Sequence, residues 1–304
     1  MPETESHEIS PELINALTWC KPLADYSAFK MNAVIDWVEL RIKLKNPSNF
    51  DTVCKRMGIP YAAPLDKGSG GAATEFTLKI HDPTSWRSIH SQLERLTHDH
   101  PLAAPPEVIG IEVALDAYSK ANDIAELQDM AKRFYRTSAC MVSDVRRAAA
   151  GYKGSGKPLT TESDITRALK EGFNVYVGNK TASEVQHIYV KTTDNGGKPL
   201  RVEEYRARME ITLRGEKLPF RSLEEWESYG MTELSKYFKF RRLKEGLNPF
   251  VQEGLKGKAQ IGEKKPRAHP DRHARIFSSS TVSDKVLTDR AYDSLRRLTK
   301  KLGK

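Results

Sequence analysis

The feature that most constrains this chain is the two-residue alternation in GIEVALDAY. Ile111, Val113 and Leu115 point one way, while Glu112, Ala114 and Asp116 point the other. Residues 108–118 therefore read as a strand with one buried face and one polar face. Glu112 and Asp116 lie on the polar face, about 13 Å apart along the strand. The pattern recurs. Residues 33–44 place Val34, Val38, Leu40, Ile42 and Leu44 on one face, and residues 74–80 alternate through Phe76, Leu78 and Ile80. Residues 173–177, 185–193 and 205–214 form a second group of strands.

Helical periodicity lies between the strands. A short helix over 50–57 is closed by Gly58, and Asp82 followed by Pro83 opens a helix with Trp86, Ile89, Leu93 and Leu96 on one side. The prolines from Pro101 to Pro106 break the chain before the third strand. Residues 124–150 carry Ile124, Leu127, Met130, Phe134, Met141 and Val145 along one helical face. Ser222 and Glu225 form an S-x-x-E start for a helix reaching about residue 244. The expected fold is α+β: antiparallel sheet with helices on one face and a polar face opposite. The expected division is an irregular leader over 1–28, an α+β half over 29–150, a linker over 151–171, a second α+β half over 172–250, and a basic tail over 251–304.

Composition narrows the function classes. Hydrophobic residues make up 38% of 304 and charged residues 29%, which excludes wholesale disorder. No apolar run reaches the roughly 18 residues of a membrane span, and the acidic start MPETESHEIS is not a secretory signal. The three cysteines are too far apart for a CxxC site, which suits a reducing cytoplasm. Residues 251–304 hold eight Lys and six Arg against two Glu and four Asp, a net +8 of the chain's +9. Such a segment suits polyphosphate.

Several motifs carry little. Gly151-x-x-x-x-Gly156-Lys157 is followed by Pro158 where a phosphate-binding loop needs Ser or Thr. His98-Asp99-His100 reads as a helix end, and His269 with His273 lacks a cysteine pair.

The strand faces converge on one chemistry. In VQHIYVK, His187, Tyr189 and Lys191 face away from Ile188 and Val190; in YRARMEITL, Arg206, Arg208 and Glu210 face away from Ala207, Met209 and Ile211. A phenol, carboxylates and cations on one exposed surface are what a tyrosine nuclease requires: nucleophile, divalent-ion ligands and phosphate neutralisation. Polar residues on exposed strand faces are also ordinary sheet construction.

The run 172–215, with VYVG, Ser183, HIYVK and RMEITL, together with GIEVALD upstream, resembles the replication initiation factor family. These are the rolling-circle initiators of small plasmids and filamentous phages. The resemblance implies a nickase in which Tyr189 attacks a DNA phosphate to leave a 5′-phosphotyrosine, with Lys191 beside it. It also implies Glu210, Asp116 and Glu112 as ligands of Mg²⁺ or Mn²⁺. DNA contacts are expected from His187, Arg206, Arg208, Lys180, Arg296 and Arg297. Implied partners are an origin DNA single-stranded at the nick, a host helicase and polymerase, and a second copy of the chain. His187 stands where the family has Arg, Gly110 replaces the Arg that opens the acidic block, and Glu112 replaces Asp. The alternative from another class is a DNA-binding protein without catalysis.

Overall fold

The computed structural model describes residues 25–66, 71–135, 145–149, 156–159, 161–179, 181–194, 197–243 and 281–303. Its strands are β1 (Phe29–Ser48), β2 (Ala62–Pro64), β3 (Ala73–His81), β4 (Leu102–Ser119), β5 (Val145–Ala148), β6 (Lys157–Pro158), β7 (Asn174–Val177), β8 (Glu184–Lys191), β9 (Arg206–Arg214), β10 (Arg241–Leu243) and β11 (Thr281–Ser283). Its helices are α1 (Phe50–Met57), α2 (Trp86–Thr97), α3 (Ile124–Tyr135), α4 (Glu162–Lys170), α5 (Leu223–Ser228) and α6 (Lys285–Leu302). Nine strands form one antiparallel sheet in the order β2-β3-β1-β4-β9-β8-β7-β5-β6, and β10 pairs with β11. The fold is α+β.

The alternation sorts the sheet into two faces. Ile111, Val113, Leu115, Met209, Ile211 and Ile188 join one apolar cluster with the buried residues of the helices. Trp37, Ala114 and Val185, on the other face, are buried but stay outside that cluster. So the helices share one face, and the polar strand residues lie on the other. The two expected halves are continuous, because β4 pairs with β9 along eight residues from Gly110–Arg214 to Ala117–Ala207.

Several boundaries differ from the sequence expectations. β4 starts at Leu102, and Pro105 and Pro106 are inside it. Arg41 pairs with Glu107 and Lys43 with Ala104, so the prolines sit in a bulge where ladder donors are not required. The helix after Asp82 begins later, capped by Ser85 in a reciprocal box with Ser88, while Asp82 takes φ 47° and its amide donates to the Asp36 carbonyl. The expected helix over 124–150 ends its described part at Tyr135, and Val145–Ala148 pairs with β7 instead. The expected linker over 151–171 contains β6 and α4.

Ser222 caps α5, accepting from the Glu225 amide, but the helix stops at Ser228 rather than near 244. Tyr229 turns extended and packs its ring on Phe220. A 3₁₀ turn over Met231–Tyr237 follows.

The last part of the basic segment is no tail. α6 buries Leu287, Ala291, Leu295, Leu298 and Leu302 in the common core. Arg297 donates to the Met31 carbonyl at 2.9 Å, Thr299 accepts from the Met231 amide at 3.0 Å, and the Tyr26 hydroxyl bonds Asp284. Residues 1–24 and 244–280 lie outside the described residues, as does Lys180. Among the described residues no helix is long and apolar enough to cross a membrane.

Candidate active site

A parity slip in β1 builds the site. Phe29, Met31, Ala33 and Ile35 face the helices, and Val38, Leu40, Ile42 and Leu44 face them too. Odd positions give way to even ones because Ile35 pairs with Val113 while Trp37 pairs with Glu112, leaving Asp36 as the extra residue of a β-bulge. The bulge turns Asp36 toward Glu112, and the pairing of Ala114 with Glu210 carries the next strand's carboxylate alongside. Oxygens of Asp36, Glu112 and Glu210 all lie within 4.8 Å of one another.

Glu210 is the hub. It is 3% exposed. Its Oε1 accepts from the Tyr189 hydroxyl at 2.8 Å and from Arg208 Nη1 at 3.3 Å. Its Oε2 meets His187 Nδ1 at 2.6 Å. Burial alone would raise its pKa, but His187, Arg208 and the Tyr189 hydrogen bond outweigh that and hold it at about 2. Glu210 is therefore an ionised acceptor, and His187 donates to it through Nδ1.

Its neighbours are pushed the other way. Glu112 is raised to about 8 by burial and then by the charge of Glu210, against hydrogen bonds from Thr212 and Trp37. Asp36 is raised by burial and by Glu210, with Arg208 and Lys191 opposing. The Tyr189 phenol is pushed far above its ordinary range by burial and the adjacent Glu210 charge. A protonated phenol thus faces an ionised carboxylate, and crowded carboxylates beside them hold a proton that a cation could replace. Three oxygen donors from three strands suit a hard divalent ion such as Mg²⁺ or Mn²⁺.

Three aromatic rings stand in a column along this edge. Tyr176 stacks on His187 at 4.2 Å and 9°, and His187 stacks on Tyr189 at 4.3 Å and 22°. The column follows from register, since Tyr176 pairs with His187 across β7 and β8. It fixes the plane of the Tyr189 ring.

The other expected site residues have different places. Asp116, expected as a metal ligand, is 1% exposed and holds Arg208 bidentately, Nε at 2.6 Å and Nη2 at 2.7 Å. It is not in the carboxylate cluster, and Asp36 takes the third position. Arg208, expected on an exposed face for DNA, is 2% exposed and also donates to Asp36 at 2.6 Å. Asp116 and Glu210 keep it protonated against the opposing cost of burial. Around Asp116, Arg208 and Glu210 the polar face is thus buried by its own ion pairs rather than wet.

Arg206 lies 3.4 Å from Asp116 and donates to the Glu204 carbonyl at 2.7 Å. Lys191 pairs with Asp194 at 3.6 Å. Arg297 ties α6 to β1, and Arg296 is exposed beside Asp293 at 3.0 Å.

Asp36 is the residue that sequence reasoning missed. Its signal was the adjacent apolar pair Trp37-Val38, where a strict alternation starting from Ala33 and Ile35 slips by one. A slip of that kind marks a bulge, and a carboxylate at the slip marks its use.

No family model matches the sequence, and no curated protein matches it. Among solved structures, the chain is similar to the rolling circle replication initiator protein from Geobacillus stearothermophilus, at 14% identity and TM-score 0.34, over 86% of this chain and 97% of that one.

Proposed function

We propose that this protein is a DNA strand-nicking and -joining enzyme of replication initiation, with Tyr189 as the nucleophile. The observation that carries the reading is the hydrogen bond from the Tyr189 hydroxyl to the ionised Glu210 carboxylate, beside the carboxylates of Asp36 and Glu112. A phenol attacks a phosphodiester only as its proton leaves, and Glu210 Oε1 orients that hydroxyl by accepting its hydrogen bond. The Tyr189 oxygen forms the new bond to phosphorus, and the bond from phosphorus to the 3′ oxygen breaks. The products are a 5′-phosphotyrosine and a 3′-OH, which takes up a proton and can prime synthesis. Reversal of the same steps rejoins the strand.

The surrounding residues prepare that geometry. The Tyr176–His187 stack orients the phenol ring. His187 and Arg208 keep Glu210 charged and fixed. Asp36, Glu112 and Glu210 would hold Mg²⁺ or Mn²⁺, which supplies polarisation of the phosphate oxygens when bound. The expected partner is origin DNA.

The test is nick mapping. Supercoiled DNA spanning the chain's own coding region and flanks should be cut at one site on one strand with Mn²⁺, and not in excess EDTA. A protein that only binds DNA leaves the plasmid supercoiled in both conditions.

A further inference from the structure

We infer that Lys79 and Arg214, flanking Trp37, hold phosphates of the DNA strand bound at the site, in place of Arg206 and Arg208, to which the sequence points. The inference rests on the DNA reading for the identity of its ligand. It starts from which cations near the site are already committed. Arg208 is bound to Asp116, Asp36 and Glu210, Arg206 to Asp116, and Lys191 to Asp194. Among the described residues, Lys79 and Arg214 make no ion pair.

What these two cations touch is an aromatic ring. Lys79 Nζ lies 3.9 Å from the centroid of Trp37, and the Arg214 guanidinium lies 5.1 Å from it. Trp37 follows the bulge residue Asp36, pairs with Glu112 and hydrogen-bonds its carboxylate. The ring that the two cations cover therefore belongs to the residue next to Asp36, on the same face of the sheet.

Gly110 makes the arrangement possible. It pairs with Arg214 across β4 and β9, and a Cβ there would come within 3.2 Å of both the Trp37 ring and Glu39 Oε2, and 3.5 Å from Arg214 Cγ. Glu39 stands opposite both Lys79 and Gly110 in register, and its carboxylate lies over Gly110 and makes no ion pair with Lys79.

Trp37 is 5% exposed under this cover. Phosphates that draw Lys79 and Arg214 off the ring would uncover a face on which a base can stack. Partly exposed cations without carboxylate partners, over an aromatic platform on the same sheet face as the proposed nucleophile, form a track for a single strand.

The test is binding of a fluorescein-labelled oligo(dT) by anisotropy across KCl concentrations, without divalent ions so that no strand is cut. Single-strand binding loses a slope of about 0.7 per phosphate contact, so Lys79→Gln with Arg214→Gln should lower the slope by about 1.4 and weaken binding roughly 25-fold at about 0.1 M KCl. Binding should also change tryptophan emission, and Trp37→Phe should remove that change. The control is Lys300→Gln with Lys301→Gln, the same charge loss at the end of α6, which should leave the slope unaltered. An unchanged slope in the Lys79/Arg214 variant, an equal loss in the control, or an emission change that survives Trp37→Phe overturns the inference. Because the assay needs no catalysis and can use Tyr189→Phe, nicking can fail while this inference stands, and the reverse.

Discussion

Tyr189 and Glu210 are joined across β8 and β9 by a 2.8 Å hydrogen bond although they are not directly opposite in register, where Tyr189 faces Arg208 and Glu210 faces His187. The diagonal contact leaves each residue a second partner. Glu210 keeps His187 on its other oxygen, and Tyr189 keeps His187 against its ring. A phenol held both in plane and in hydrogen bond loses little freedom on reaching an attack geometry.

Arg208 is expected to be structural. It satisfies three carboxylates from a buried position, so Arg208→Gln leaves uncompensated charge and should cost about 3–5 kcal/mol in chemical denaturation. Arg208→Lys should also destabilise, since one ammonium cannot reproduce the bidentate grip on Asp116. Wild-type stability in either variant would contradict this.

Most of the strand pattern was legible because period-two alternation is read directly from side-chain polarity. The α+β class and the shared face of Tyr189, His187 and Glu210 followed from it. What alternation could not give was the burial of the polar face. Arg208, Asp116 and Glu210 look like surface residues one at a time and become buried only by pairing across β4 and β9. α6 was legible only in part: Ala291, Leu295 and Leu298 show a helical stripe among the arginines and lysines, but its complement on β1 is not visible in the sequence. Val145–Ala148 has too few residues to declare a strand without the β7 partner that fixes it.

Asp36 and Asp116 should separate by readout. In Mn²⁺ titrations followed by calorimetry, Asp36→Asn should weaken binding by roughly tenfold or more. Asp116→Asn should leave that affinity near wild type and instead lower thermal stability, because it strips Arg208 of its main partner. The opposite result would favour Asp116 over Asp36 as a ligand of the proposed ion.

Glu112 gives a pH signature. Its pKa rises on folding to about 8, so the folded state binds a proton that the unfolded chain releases near its ordinary value of 4.5. Its stabilising contribution is complete below that ordinary value and is lost as pH rises through about 8. The loss is at most about 1.4 kcal/mol per pH unit. Without divalent ions, Glu112→Gln should therefore flatten the fall in stability between pH 5 and 8 and exceed wild type at the upper end. A variant curve parallel to wild type would contradict the assignment.

The terminal helix should be part of the folded body. Leu295→Ala, in its buried stripe, should cost about 2–5 kcal/mol. Removing residues 285–304 should broaden or abolish cooperative unfolding. A truncated chain with unchanged stability would mean that α6 does not dock.

The most direct measurement is identification of the residue that becomes covalently attached to DNA. After incubation with Mn²⁺ and supercoiled DNA carrying the chain's own coding region and flanks, nuclease digestion and peptide mass spectrometry should find a nucleotide on Tyr189. Tyr189→Phe should form no adduct while losing only about 1 kcal/mol of stability with its one hydrogen bond. An adduct on Tyr176 or Tyr237, or any adduct in Tyr189→Phe, would contradict the account.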